Sequence, residues 1–205
     1  VAIDTQRLRL RPVTPADVDS LHELDSDPNV MRFVNGGRPT ARDTIAEWVV
    51  PRSQTQFRTH GTGMWTARLR RGGDFIGWVQ LRLPRHSTVR ELELSYRFDQ
   101  RVWGHGLAAE AAGALIAVTF LSTDTERIFA STHSDHNSSQ AVMRKLGMRL
   151  SPAGLSARQL SGHDDEHDVE YEILHEQWAA ARGRRAVRPP AGRHRRPTST
   201  TGMPA

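Results

Sequence analysis

The 205-residue chain contains no cysteine. That absence excludes disulfides, thiolate metal sites and a cysteine nucleophile together. It is compatible with a cytoplasmic location. No run of about 18 apolar residues is present, so no transmembrane helix and no membrane partner are expected. Val1 to Leu10 alternates charged and apolar residues and has no signal-peptide core. Lysine is almost missing: there is one, against 27 arginines, a bias of the kind that GC-rich codons produce. No internal repeat is apparent.

Acids are missing from one end only. Arg182 to Ala205 holds seven arginines and no carboxylate, whereas residues 1–181 carry 21 basic and 23 acidic side chains. The net charge of +5 therefore belongs to the tail. That segment also has four prolines and almost no large apolar residue, so it cannot bury enough surface to order itself. The reading is one domain over 1–181 and a disordered Arg/Pro-rich tail over 182–205. A basic tail can bind nucleic acid, but this one lacks interleaved aromatics for base stacking. Nucleic acid is not the expected partner.

What is present is a patterned α/β chain. Thr5 to Val13 alternates, with Leu8 and Leu10 on one side, and reads as a strand with one wet face. Thr14-Pro15-Ala16-Asp17 reads as a helix start, and Asp27-Pro28 as its end. Thr40 to Phe57 reads as a second helix that Pro51 kinks or ends. Met64–Leu69, Asp74–Leu83 and Arg90–Phe98 are three closely spaced strands, as in an antiparallel meander. A helix follows from Leu107 to Leu121, with Leu107, Ala111, Leu115, Val118 and Leu121 at helical spacing. Then come a strand at Arg127–Thr132, a helix at Ser139–Leu146 stopped by Gly147, and strands at Met148–Leu150 and Val169–Leu174. This order implies a mixed sheet with helices on its faces.

The strongest chemical signal is Arg101-Val102-Trp103-Gly104-His105-Gly106-Leu107-Ala108-Ala109-Glu110-Ala111, between a strand and a long helix. Glycines there let the backbone bend tightly and bring N–H groups close to an anion, and the helix N-terminus adds partial positive charge. A GxG at such a junction can equally be a plain tight turn. The Lys-Ser/Thr pair of a Walker A loop is absent, and Ala109 stands where the dinucleotide fingerprint has its third glycine.

The fragment resembles motif A of the GNAT N-acetyltransferase superfamily. Glu93-Leu94-Ser95-Tyr96-Arg97-Phe98-Asp99 followed by Trp103-Gly104-His105-Gly106-Leu107-Ala108-Ala109-Glu110-Ala111 is similar to the RimJ/RimL-type branch. Ser139 to Met148 resembles that branch's second CoA-contacting helix. His167 to Leu174 with Trp178 resembles its closing strand and last turn, and Arg7–Arg11 with Pro15–Asp17 its opening. The likeness runs from about residue 5 to 178. It implies a central, largely antiparallel mixed sheet with a splayed strand pair that admits acetyl-CoA as co-substrate, and no metal. Arg97 and Phe98 would offer backbone groups to the pantetheine arm. The N–H groups of Arg101, Val102, Trp103, Gly104, His105, Gly106 and Leu107 would hold the pyrophosphate. An asparagine contacts CoA near the start of the second helix; here His136 stands at the aligned position with Asn137 one along, so either takes that role.

The reaction implied is direct attack of an amine on the thioester. An alkyl amine, with a pKa of ~10, is mostly protonated at neutral pH, so a proton acceptor is needed, and a donor should meet the leaving sulfur. Glu93 is the candidate base, on a face shared by Glu91, Ser95 and Arg97; the competing reading is a solvated carboxylate or one paired to Arg97. His136 is a second possible base. The family's donor tyrosine aligns with Met143, leaving that role vacant. Ser139 fits as donor to the thiolate, or equally as a helix cap.

His163-Asp164-Asp165-Glu166-His167 matches H-x-x-E-H letter for letter. A zinc site would need it on a regular helix with a third ligand, and Gly162 before it and a strand after it argue against that. The acceptor is expected to be an amine on a small molecule or a protein N-terminus, met by Met31-Arg32-Phe33, Trp48 and Leu155–His163. The chain is read as a monomer or homodimer. The competing class is a CoA-binding or interaction module that keeps the fold and lacks the chemistry.

Overall fold

Leu8 and Leu10 are fully buried while Arg7 and Arg9 face water. This alternation makes Leu8–Pro12 a strand, β2, paired to a short β1 at Ile3–Asp4. The computed structural model describes residues 1–84, 90–152 and 168–186. Thr14 opens a 3-10 turn at Pro15–Asp17, its N–H and hydroxyl both donating to the Asp17 carboxylate. Helix α1 (Val18–Asp25) follows.

Asp27-Pro28 does more than end that helix. The Asp27 side chain accepts from the Asn29 N–H, Pro28 takes the first helical position, and α2 runs over Pro28–Asn35 to a left-handed Gly36. The same two residues are a stop signal for one helix and a cap with a pre-set φ for the next. The helix expected from Thr40 neither ends nor breaks at Pro51. It is one element, α3, in three pieces: Arg42–Thr44, a π-turn at Ile45–Val49, and Val50–His60. The widened turn lies just before the proline, where an α-helical ring would crowd the carbonyl of Glu47.

The sheet then builds through β3 (Gly63–Leu69), β4 (Phe75–Arg82) and β5 (Glu91–Phe98). A 3-10 turn at Gln100–Val102 leads to α4 (Leu107–Ser122). β6 (Arg127–His133), α5 (Asn137–Lys145), β7 (Arg149–Leu150), β8 (Asp168–Leu174) and α6 (His175–Ala186) complete the chain. Helix α6 runs past the boundary drawn at residue 181, and residues from 187 on lie outside those described. Among the described residues the sheet has eight strands in the order β1-β2-β3-β4-β5-β6-β8-β7. Every pairing is antiparallel except β5 with β6.

One core lies against α4 and includes Val79, Leu92, Leu94, Ile116 and Ile128; each such side chain contributes roughly 2 kcal/mol. The buried stripe of α4 follows Leu107, Ala111, Ala112, Leu115, Ile116, Thr119 and Phe120. Val118 and Leu121, expected in it, are exposed, because the buried face is centred near Leu115 and Thr119, roughly 80° and 140° round the helix from them. A second core on the opposite face joins α1, α3 and the β3–β4 pair through Leu21, Ile45, Met64 and Trp78.

β5 and β6 pair only at Glu91↔Arg127, Leu92↔Ile128 and Glu93↔Phe129. Both strands continue, β5 to Phe98 and β6 to His133, so they part after Glu93. This fork, in the middle of the sheet, positions the site.

Candidate active site

The backbone polar groups of β5 alternate between its two neighbours. Asp99 donates to Ile76 in β4, which places the polar groups of Arg97 and Ser95 on the β4 side. The Arg90 carbonyl accepts from Glu126 and Arg127 on the β6 side, so the even-numbered residues face the fork. Tyr96 and Phe98 therefore present N–H and C=O groups to the opening. Arg97, expected to do so, has its carbonyl turned to β4, close above Gly77. Its guanidinium is also committed: it pairs with the buried Asp25 and lies over Trp78. The Phe98 carbonyl already accepts from the Trp103 indole at 2.7 Å.

The bend beyond β5 is narrower than the sequence suggests. The Arg101 N–H donates to the Asp99 carboxylate, Val102 N–H to the Asp99 carbonyl and Trp103 N–H to the Gln100 carbonyl. These three amides, expected to face the ligand, are spent on shaping the turn. Among the described residues the N–H groups of Gly104, His105 and Gly106 have no acceptor, and the first turn of α4 adds those that any helix leaves free. Gly104 and Gly106 have φ of 79° and 75°, which directs these donors together at little cost only for glycine. The space beside Gly104 is open: a Cβ there would meet nothing within 4 Å.

Fork and bend line one cavity of about 340 Å³. Its walls include Tyr96, Arg97, Phe98, Val102, Trp103, Gly104, Gly106 and Leu107, with Val30 and Val34 of α2 on one side and His136, Ser139 and Lys145 on the other. The side chains of four expected residues do not line it. The Arg101 side chain folds back on Asp99 and faces a separate polar groove beside Glu23 and Asp74. His105 is exposed, its carbonyl accepting from Arg7. Asn137 is exposed in the first turn of α5. Glu93 stands at the last paired position of the fork, gripped by Arg82 directly across β4 at 2.7 and 3.0 Å.

Position 136 faces the cavity, and position 137 does not. His136 is the N-cap of α5: its Nδ1 accepts the Ser139 N–H at 3.2 Å, and its ring stacks on Phe33 with centroids 4.2 Å apart. Nδ1 as acceptor assigns the ring proton to Nε2. Ser139 is thereby released from capping. Its Oγ lies 2.9 Å from the Tyr96 hydroxyl, which also donates to the Ser139 carbonyl at 3.1 Å. Burial pushes the Tyr96 phenol up to about 12. The aligned Met143 is packed in the core, so Tyr96, reached from the strand instead of the helix, supplies a phenol that sequence reasoning missed. Lys145 was also missed, since its reach to Gly106 depends on how α5 packs.

Of the segments expected around the acceptor, Phe33 lies against His136 and His133, Met31 is buried, and Trp48 is exposed beneath Arg52. Leu155–His163 and the H-x-x-E-H segment lie outside the described residues.

Burial lowers the His136 pKa from its ordinary 6.5. A depressed histidine favours folding above pH 6.5, and that contribution is lost as pH falls through the lower folded value. Protonated Nδ1 can no longer accept, so a cap worth ~1 kcal/mol disappears. His136→Asn keeps an acceptor that does not titrate. Its melting temperature is expected to fall about 2–4 °C less than the parent's between pH 7.5 and 5. Equal falls in the two proteins would contradict the cap.

A forked sheet leading into a bend of free amides suits an extended arm that ends in an anion, as an acyl-coenzyme A has. Residues 7–149 match the acetyltransferase (GNAT) domain family, and the chain belongs to that family, whose members use acetyl-CoA and act on amines. Curated relatives include the uncharacterized protein YkkB of Bacillus subtilis, 30% identical over 148 residues (72% of this chain, 84% of that one). FsC-acetyl coenzyme A-N(2)-transacetylase of Aspergillus fumigatus is 25% identical over 192 residues, 86% of this chain and 77% of that one. Among solved structures, RimL, a ribosomal L7/L12 alpha-N-protein acetyltransferase in complex with coenzyme A, superposes with a TM-score of 0.71 at 17% identity, covering 86% of this chain and 99% of the other. An acetyltransferase from Agrobacterium tumefaciens gives 0.69 at 24%, covering 84% and 94%. The chain is an N-acetyltransferase. No helix among its described residues is long and apolar enough to cross a membrane.

Proposed function

We propose that this chain transfers an acetyl group from acetyl-CoA to the primary amine of a small molecule or of a protein N-terminus, by direct attack. The observation that carries the reading is the fork: the edge of Tyr96 and Phe98, open but for the Phe98 carbonyl, lines the same cavity as the bend at Gly104 and Gly106. The residues fit the coenzyme. An extended amide-bearing arm meets strand edge groups, and a diphosphate meets N–H donors at a helix start. Bound there, acetyl-CoA supplies the activated acetyl thioester.

The protein's own groups divide by face. Successive side chains of β5 alternate, so Glu93 and Arg97 look towards α1 and α2, and Tyr96 looks towards α5. Glu93, where the strands part, takes a proton on the acceptor side, and Arg82 orients it. Tyr96 and Ser139 hold a donor on the opposite side, where sulfur leaves. Base and donor then act across the plane of the sheet without competing for one proton.

The acceptor class follows two relatives. RimL acts on a protein alpha-amine and the Aspergillus enzyme on an N(2) group, as their names state. The test is calorimetric titration with coenzyme A, then release of free thiol from acetyl-CoA with a panel of small primary amines and short peptides. Saturable binding with thiol release from at least one amine is expected. Absence of binding overturns the assignment of the site, and binding without thiol release from any amine overturns the catalytic reading. Glu93→Gln is expected to lower turnover about 100-fold while coenzyme affinity is kept. Full turnover would remove Glu93 as base.

A further inference from the structure

The bend that gathers free amides also gathers two cations from distant parts of the chain. Lys145 is the last residue of α5. Its Nζ lies 2.8 Å from where a Cβ on Gly106 would stand. Arg7, in the turn before β2, approaches the same point, with Nη2 at 4.0 Å. Glycine at 106 is required for its φ of 75°, and the bare Cα leaves room for the ammonium beside it.

Arg7 is held in place by the bend itself. Its Nη1 donates to the His105 carbonyl at 3.0 Å, its Nε to Glu110 at 2.6 Å, and its backbone N–H to the same carboxylate at 2.8 Å. Thr5 adds a further bond to Glu110 at 2.6 Å. Glu110 belongs to the first turn of α4, so the N-terminal segment ties down the helix start whose amides face the cavity. Arg7 has a carboxylate partner, and Lys145 has none among the described residues. One positive charge is left over beside donors that are themselves without acceptors. Such an arrangement is complete only when an anion enters it.

Composition supports a specific use for the ammonium. Arginine fills 27 of the 28 Lys/Arg positions, and the exception is Lys145. An ammonium is a compact charge with freely turning donors, whereas a guanidinium is a broad planar fork. The compact group is the one that stands closest to Gly106.

We propose that Lys145 and Arg7 form a cationic clamp across Gly106 that grips the diphosphate of the coenzyme. The clamp rests on the site assignment made above and adds the residues that set its selectivity. Coenzymes carrying the diphosphate are held by it, and the pantetheine arm alone is not.

The test is calorimetry on Lys145→Met, which keeps the stem and removes the charge. Affinity for coenzyme A is expected to fall about 10- to 100-fold, as for loss of a charge-assisted bond. Affinity for pantetheine should be unchanged, and the salt dependence of coenzyme A binding should flatten. A variant that binds coenzyme A as tightly as the parent overturns the clamp, as does an equal loss for pantetheine. If the parent itself binds no coenzyme A, the site assignment fails first, so the two failures are distinct. The unaltered protein gives a second readout that needs no variant. Lys145 is the only lysine, so acylation by an amine-reactive reagent reports on it through one peptide mass. Coenzyme A and inorganic diphosphate should each slow that labelling. Labelling at the same rate with saturating coenzyme A would refute the clamp.

Discussion

Gly77→Ala is expected to destabilise the fold by roughly 3–5 kcal/mol and to remove saturable coenzyme binding in whatever protein remains folded. Gly77 sits in β4 opposite Phe98 with φ of 144°, a region that residues with a Cβ rarely enter. A methyl there would stand 2.3 Å from the Arg97 carbonyl oxygen and 2.8 Å from the Phe98 Cα. Both contacts are with backbone, so no side chain can swing aside. β4 is fixed on its other edge by β3, and Arg97 is fixed by Asp25. Relief can come only from pushing β5 towards the fork, where Tyr96 and Phe98 present their free edge. Stability and cofactor binding therefore fail together, whereas Lys145→Met is expected to leave the fold intact. Urea unfolding followed by coenzyme titration tests this. A loss of under about 1 kcal/mol with normal coenzyme affinity would show that the close approach has no bearing on the site.

A glycine whose role is set by a neighbouring strand, as at Gly77, cannot be read from the residues around it. The Gly104–Gly106 bend was legible because its chemistry is local: two glycines, a strand before and a helix after. The meander and the β5-α4-β6 unit were legible for a similar reason, since alternation changes to a helical period within a few residues. Asp27-Pro28 reads only as a stop, because one dipeptide serves as both stop and start, and α2 has only two buried residues, Val30 and Met31, to announce it. Alternation along β5 offers Glu93 a partner at Arg97. Its partner is Arg82, across from it in β4, because register and not sequence separation decides such pairs. Tyr96 escaped notice as a donor because the expected phenol aligned with Met143. Lys145 escaped because its distance to Gly106 exists only after α5 packs on α4. Residues that shape a turn are written locally, and residues that meet across it are not.

Tyr96 and Ser139 are expected to act as one unit. Each hydroxyl removed alone, by Tyr96→Phe or Ser139→Ala, should lower turnover about 10- to 100-fold, and removing both should cost little more than removing one. The Michaelis constant for acetyl-CoA should stay within about twofold, because neither hydroxyl belongs to the backbone edge or the amide bend. The reason for coupling is the geometry: the Tyr96 hydroxyl reaches both the Oγ and the carbonyl of Ser139, so either proton can be shifted towards the cavity while the other secures the pair. A phenol pushed up to about 12 by burial stays protonated throughout the range in which an amine acceptor loses its own proton. It sits well above an ordinary thiol near 8.5, so it stabilises departing sulfur by a hydrogen bond and keeps its proton. Two results follow for the unaltered enzyme. Its pH–rate profile should show no break from Tyr96 below about pH 11. Folding stability, favoured by the raised pKa, should decline only as pH climbs from about 10 towards 12. Full turnover in Tyr96→Phe, or strictly multiplicative losses in the double variant, would show that the hydroxyl pair only positions α5 against the sheet.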